Sequence, residues 1–106
     1  MRIASIQLAL ADRPKGQNVE HALSMVDRVP SADLILLPEI WPCGFFAFDR
    51  YAADSEPLDG PTVNAFRQKA RRLVQNPPKP KVTSREDAFI HAMPAYLGGS
   101  DRIGLK

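Results

Sequence analysis

Cysteine is almost missing from this chain. Cys43 stands alone among 106 residues, so no internal disulfide can form, which suits a reducing cytosol. Long apolar runs are missing too. None approaches the ~20 residues of a membrane span, so no membrane-spanning segment is expected. Only Arg2 precedes the first apolar stretch, and Asp12 and Arg13 interrupt it, which argues against a signal peptide. No Gly-x-Gly-x-x-Gly loop is present to cradle a dinucleotide phosphate, and no cofactor is expected. Neither His21 nor His91 has a second ligand at metal spacing, so no metal site is expected. Acidic residues are absent between Gly60 and Arg85, where Arg67, Lys69, Arg71, Arg72, Lys79 and Lys81 are basic. Phe66 is the one aromatic residue among them, and it belongs to an apolar stripe. A solvated helix face explains this run better than a phosphate-backbone footprint. The net charge of +2 is also too small to call for a polyanion, so no nucleic-acid partner is expected.

What the chain does contain is ordinary for one soluble α/β domain. A hydrophobic fraction of 44% and a charged fraction of 25% are typical of globular proteins. A chain of this size buries roughly 65% of its unfolded surface. Ten prolines, about twice the usual share, keep regular elements short. Residues 2–8 are apolar and β-compatible, and Asp12, Pro14 and Gly16 mark a loop. Val19, Ala22, Leu23 and Val26 then form the stripe of a surface helix, opened by Gln17 or Asn18 and closed before Pro30. Leu34-Ile35-Leu36-Leu37 is apolar without alternation, as in a strand covered on both faces in the middle of a parallel sheet. Strand, helix and strand in about 36 residues predict a βαβ unit.

Beyond residue 39 the pattern loosens. Ile40 to Pro57 reads as an irregular loop, yet it holds Trp41, Phe45, Phe46, Phe48 and Tyr51. So aromatic a loop must pack against this chain or another. Asp59-Gly60-Pro61 predicts a helix start, followed by a stripe of Val63, Phe66, Ala70 and Leu73 with a basic opposite face. Pro77-Pro78-Lys79-Pro80 ends that helix as a stiff joint. The remaining tail is irregular and Pro-containing, with Ile103-Gly104-Leu105 as a strand start, and cannot build its own core.

Glu39 is the sharpest chemical candidate. Open α/β folds place reacting groups just past the carboxyl ends of their strands. A carboxylate held there in apolar surroundings has a raised pKa and can act as a general base near neutral pH. The competing reading is an exposed glutamate in a loop. Cys43 follows Trp41-Pro42, and a lone cysteine is more often a small apolar residue than a nucleophile.

Residues 1 to about 70 resemble the opening of the nitrilase superfamily, the carbon–nitrogen hydrolases. The resemblance rests on Met1-Arg2-Ile3-Ala4 with Gln7, on Leu34 to Glu39, on Gly44-Phe45-Phe46 with Ala52, and on Glu56-Pro57-Leu58-Asp59-Gly60-Pro61. It implies the start of a four-layer α-β-β-α sandwich, of which this chain would hold an incomplete βαβ-type layer. It also implies that Glu39 is the general base of a Glu-Lys-Cys triad. The triad's lysine and cysteine have no matching positions here, and Cys43 does not match the nucleophile's motif.

The tail resembles a different family, the ornithine cyclodeaminases and mu-crystallins. The similarity is carried by Asn76 to Val82, Ala88 to Ala95, and Gly104-Leu105-Lys106. It implies substrate-carboxylate contacts from Lys81, Met93 and Lys106. The expected organisation is therefore a carbon–nitrogen hydrolase-like segment over 1–72, a basic and Pro-rich joint over 73–81, and a cyclodeaminase-like segment over 82–106, as if two truncated N-termini were fused.

The function expected from this reading is that of a cytoplasmic hydrolase fragment for non-peptide C–N bonds, retaining its base and inactive alone. Two alternatives stand beside it: a self-associating or protein-binding module, and a hydrolase completed by a partner chain.

Overall fold

The computed structural model describes residues 1–9 and 11–78 and the backbone of residues 102–105. Along the chain run β1 (Ile3–Gln7), α1 (Lys15–Asp27), β2 (Leu34–Leu36), α2 (Tyr51–Asp54), α3 (Pro61–Gln75) and β3 (Arg102–Leu105). β1 and β2 are parallel, in the register Ile3 with Leu34, Ala4 with Ile35 and Ser5 with Leu36. With α1 between them they form the anticipated βαβ unit. β3 pairs antiparallel on the other side of β1, so the sheet order is β2-β1-β3. The strand expected to start near Ile103 is present as β3.

The core lies on one face of this sheet. β1 alternates, burying Ala4, Ile6 and Leu8 and exposing Ser5 and Gln7. Against its buried face α1 packs Ala22, Met25 and Val26, and Val29 follows just beyond the helix. Ile35, Leu37, Trp41, Phe66 and Leu73 close the cluster as partly buried neighbours.

Two expectations are corrected here. Among the described residues β2 is an edge strand, not a central one. Its apolar run does not alternate, so Ile35 faces the core while Leu34 and Leu36 point to the other face, 43% and 47% exposed. No described element covers that face. Helix α1 also begins earlier than expected, at Lys15 after Pro14, whose carbonyl accepts from Gln17 N at 3.0 Å and Asn18 N at 3.3 Å. Its buried stripe is Asn18, Ala22, Met25 and Val26, with Val19 and Leu23 only half-buried. The stripe is thus centred differently from the one read off the purely apolar residues, because a polar asparagine occupies a buried position.

Pro61 and Gly60 start α3 as anticipated, and the helix runs through Gln75. None of its residues is fully buried. Phe66 and Leu73 reach the core, whereas Ala70 is exposed and Val74 is 83% exposed. Lys69 ties α3 to α1 through both carboxylate oxygens of Asp27 at 2.8 Å. A half-exposed pair of this kind contributes roughly 0–1 kcal/mol. The stripe of α3 is therefore held mainly by Phe66 and Leu73.

Candidate functional site

Glu39 lies three residues past the end of β2, in a turn, with its side chain exposed. Position at the carboxyl end of a parallel strand is as expected. The apolar enclosure is not built by the described residues, which leave Glu39 exposed in the turn after Pro38.

The turn itself is unusual. Ile40, the next residue, has φ 54°, and it is the sole non-glycine residue with positive φ among the described residues. A left-handed conformation costs a β-branched residue roughly 1–2 kcal/mol, so surrounding contacts must hold it. Several do. Gly44, at φ 85°, supplies the second left-handed position, and its N–H donates to Ile40 O at 3.1 Å. Asn18, 5% exposed on α1, donates its Nδ2 to Pro42 O at 2.9 Å and to Arg13 O at 3.4 Å. Arg50 donates to Cys43 O at 3.0 Å, to Arg13 O at 3.3 Å and to Asp12 Oδ1 at 2.5 Å. Each such bond contributes about 0.5–1.5 kcal/mol net, more where charge is involved. Together they are large enough to offset the strain at Ile40.

Tyr51 completes the loop by donating its hydroxyl to Phe45 O. Its phenol pKa is raised, first by partial desolvation and then by the nearby Cys43 and Glu39. Glu39, Cys43 and Tyr51 therefore share one electrostatic neighbourhood. Cys43 is a half-buried free thiol there.

The aromatic residues divide. Trp41 stacks edge-on against Phe66 of α3, with centroids 5.3 Å apart. Phe45, Phe46, Phe48 and Tyr51 form a chain of edge-to-face contacts at 5.1, 6.3 and 5.5 Å. Phe46 and Phe48 remain 81% and 67% exposed.

Beside this loop lies a cleft of about 360 Å³ whose walls include Lys15, Cys43, Tyr51 and Glu56. A lysine, a cysteine and a glutamate thus meet in one place, yet their bonding excludes a free triad. Glu56 accepts from Lys15 at 2.6 Å, from Thr62 N at 2.9 Å and from Thr62 Oγ1 at 2.8 Å. These bonds, the Lys15 one foremost, lower its pKa from 4.5 to about 2. So weak a base cannot take a proton from a thiol at neutral pH. Its work is structural: it satisfies the open N-terminus of α3, which has no side-chain cap at Gly60. A Cβ at Gly60 would lie 2.9 Å from both Glu56 Oε2 and Pro57 O, so the tight turn leaves no room for a side chain.

Lys15, Glu56, Asn18 and Arg50 were not singled out by the sequence as a working set. The available signals were a carboxylate shortly before a Gly-Pro helix start and an asparagine inside an apolar stripe. Lys81, Met93 and Lys106 lie outside the described residues. Among the described residues no cluster of three or more metal-ligating side chains occurs, and no helix is long and apolar enough to cross a membrane.

The family model for carbon-nitrogen hydrolases matches residues 2–74, the stretch that holds β1, α1, β2, Glu39 and nearly all of α3. No curated protein and no solved structure matches the chain.

Proposed function

Because the chain belongs to the carbon-nitrogen hydrolase family, we propose that Glu39 is a general base for hydrolysis of a non-peptide C–N bond. The observation that carries this is its place at the carboxyl end of β2, on a loop held in a strained conformation by Asn18 and Arg50. In such chemistry the base takes the proton of a thiol, the thiolate attacks the electrophilic carbon, and hydrogen-bond donors stabilise the developing oxyanion.

The described residues supply the first part alone. Both described lysines are committed, Lys15 to Glu56 and Lys69 to Asp27. Cys43 is half-buried, and its position matches no nucleophile motif. The chain by itself is therefore expected to show no turnover of simple amides, nitriles or carbamoyl compounds. Turnover lost in both Glu39→Gln and Cys43→Ala would make Cys43 a nucleophile and end the inactive reading. Turnover that survived Glu39→Gln would remove Glu39 from the base role.

A second reading, association with another copy or chain, is favoured by the exposed Leu34, Leu36, Phe46 and Phe48. On this reading the purified chain is an oligomer or loosely packed. Static light scattering with near-UV circular dichroism checks it: a compact 11.7 kDa monomer with a sharp Trp41 signal and a cooperative melt would defeat it. For the tail we keep the cyclodeaminase-like reading of residues 82–106, with Met93 and Lys106 of that segment and Lys81 of the joint before it toward a substrate carboxylate. It is supported by sequence motif alone. The lone Cys43 supports a cytoplasmic location.

A further inference from the structure

The loop from Glu39 to Gly44 is gripped from two directions. Asn18 reaches it from the buried face of α1 and takes the carbonyl of Pro42. Arg50 reaches it from the far end of the aromatic loop and takes the next carbonyl, that of Cys43. Both side chains also hold Arg13 O, in the segment between β1 and α1. Arg13 O thus anchors both grips to one fixed point, beside the first turn of α1. Between the grips and β2 sits Ile40 in its left-handed conformation, and Glu39 is the residue whose direction that conformation sets.

A buried asparagine is costly unless its amide is used. Here the amide donates to Pro42 O in the loop that carries the candidate base and, at a longer distance, to Arg13 O. An apolar residue at position 18 would continue the stripe of Ala22, Met25 and Val26 but would have no N–H to donate to the turn. We propose that Asn18 and Arg50 are positioning residues that clamp the Pro42 and Cys43 carbonyls and so fix Ile40 in its left-handed turn and Glu39 in direction. The proposal rests on the reading of Glu39 as the base, and it concerns geometry that can be observed without turnover.

The test uses the isotope-labelled full chain and two variants. Asn18→Leu keeps the side-chain size but removes the donor, and Arg50→Met removes the second grip from a half-exposed position. The readouts are the backbone resonances of Ile40, which report a left-handed φ, and the side-chain resonances of Glu39. Amide resonances of β1 and β2 serve as the control for the fold. With those native, either variant is expected to lose the left-handed signature of Ile40 and to shift the Glu39 resonances. Unchanged Ile40 and Glu39 resonances in a folded variant would overturn the proposal. Should Asn18→Leu fail to fold, Arg50→Met decides by the same two resonances. Glu39→Gln separates this from the base reading, since a clamped loop keeps the Ile40 signature whatever the chemistry of residue 39.

Discussion

Ile6→Ala is expected to lower the unfolding free energy by about 2–5 kcal/mol, the range for removing a large aliphatic side chain from a packed core. Ile6 is 2% exposed, in β1, and it shares one buried cluster with Ala4, Leu8 and with Met25 and Ala22 of α1. A chain of this size has roughly 5–15 kcal/mol of stability in all. The substitution would therefore remove a large part of it and broaden or abolish the cooperative transition. Leu36→Ala is the contrasting case. Leu36 is 47% exposed on the uncovered face of the sheet, so its truncation removes about half of a full burial term, on the order of 1 kcal/mol. Urea denaturation of both variants against the parent chain makes the comparison. Equal losses would mean that the face bearing Leu34 and Leu36 is covered in solution, and the one-faced core would have to be abandoned.

That contrast marks where the sequence was legible and where it was not. The strand–helix–strand order could be read because residues 2–8 and 34–37 are apolar runs, α1 carries an apolar stripe, Asp12, Pro14 and Gly16 mark the loop before it, and Pro30 closes it. The position of β2 could not. A run such as Leu34 to Leu37 says that both faces are apolar, but not what covers each of them, and the described residues cover only the side of Ile35. Glu39 lies past the carboxyl end of β2, a position that strand direction fixes. Its exposure was not readable, because enclosure depends on elements distant in sequence. The polar residues that shape the site escaped for a shared reason. Asn18 is invisible to an apolar stripe, and the 31 residues between Asn18 and Arg50 hide their cooperation. Glu56 was legible as part of a motif, but its bond to Lys15 joins two helix starts that only the fold brings together.

The Lys15–Glu56–Thr62 knot gives the second large effect, an acid-sensitive one. The pKa of Glu56 is lowered from 4.5 to about 2 by Lys15 and by the two donors of Thr62. A carboxylate whose folded pKa lies below its unfolded value adds stability wherever it is ionised in both states, that is, above pH 4.5. As the pH falls below 4.5 the unfolded chain takes up a proton that the folded chain refuses, and the contribution shrinks until it is gone near pH 2. Glu56→Gln removes the charge at every pH. It leaves Lys15 with a side chain only 17% exposed and no carboxylate, and it takes away an acceptor that closes the N-terminus of α3. The variant is therefore expected to be clearly less stable than the parent at pH 7. The two denaturation midpoints should then converge between pH 4.5 and about 2. Lys15→Met should show the same convergence from the other partner, since without its largest source of depression the Glu56 pKa returns toward the ordinary carboxylate range. Urea midpoints for the three proteins at several pH values across this interval provide the measurement. Parallel curves, with a constant gap down to pH 2, would show that the ionised Glu56 is not what holds the two helix starts together.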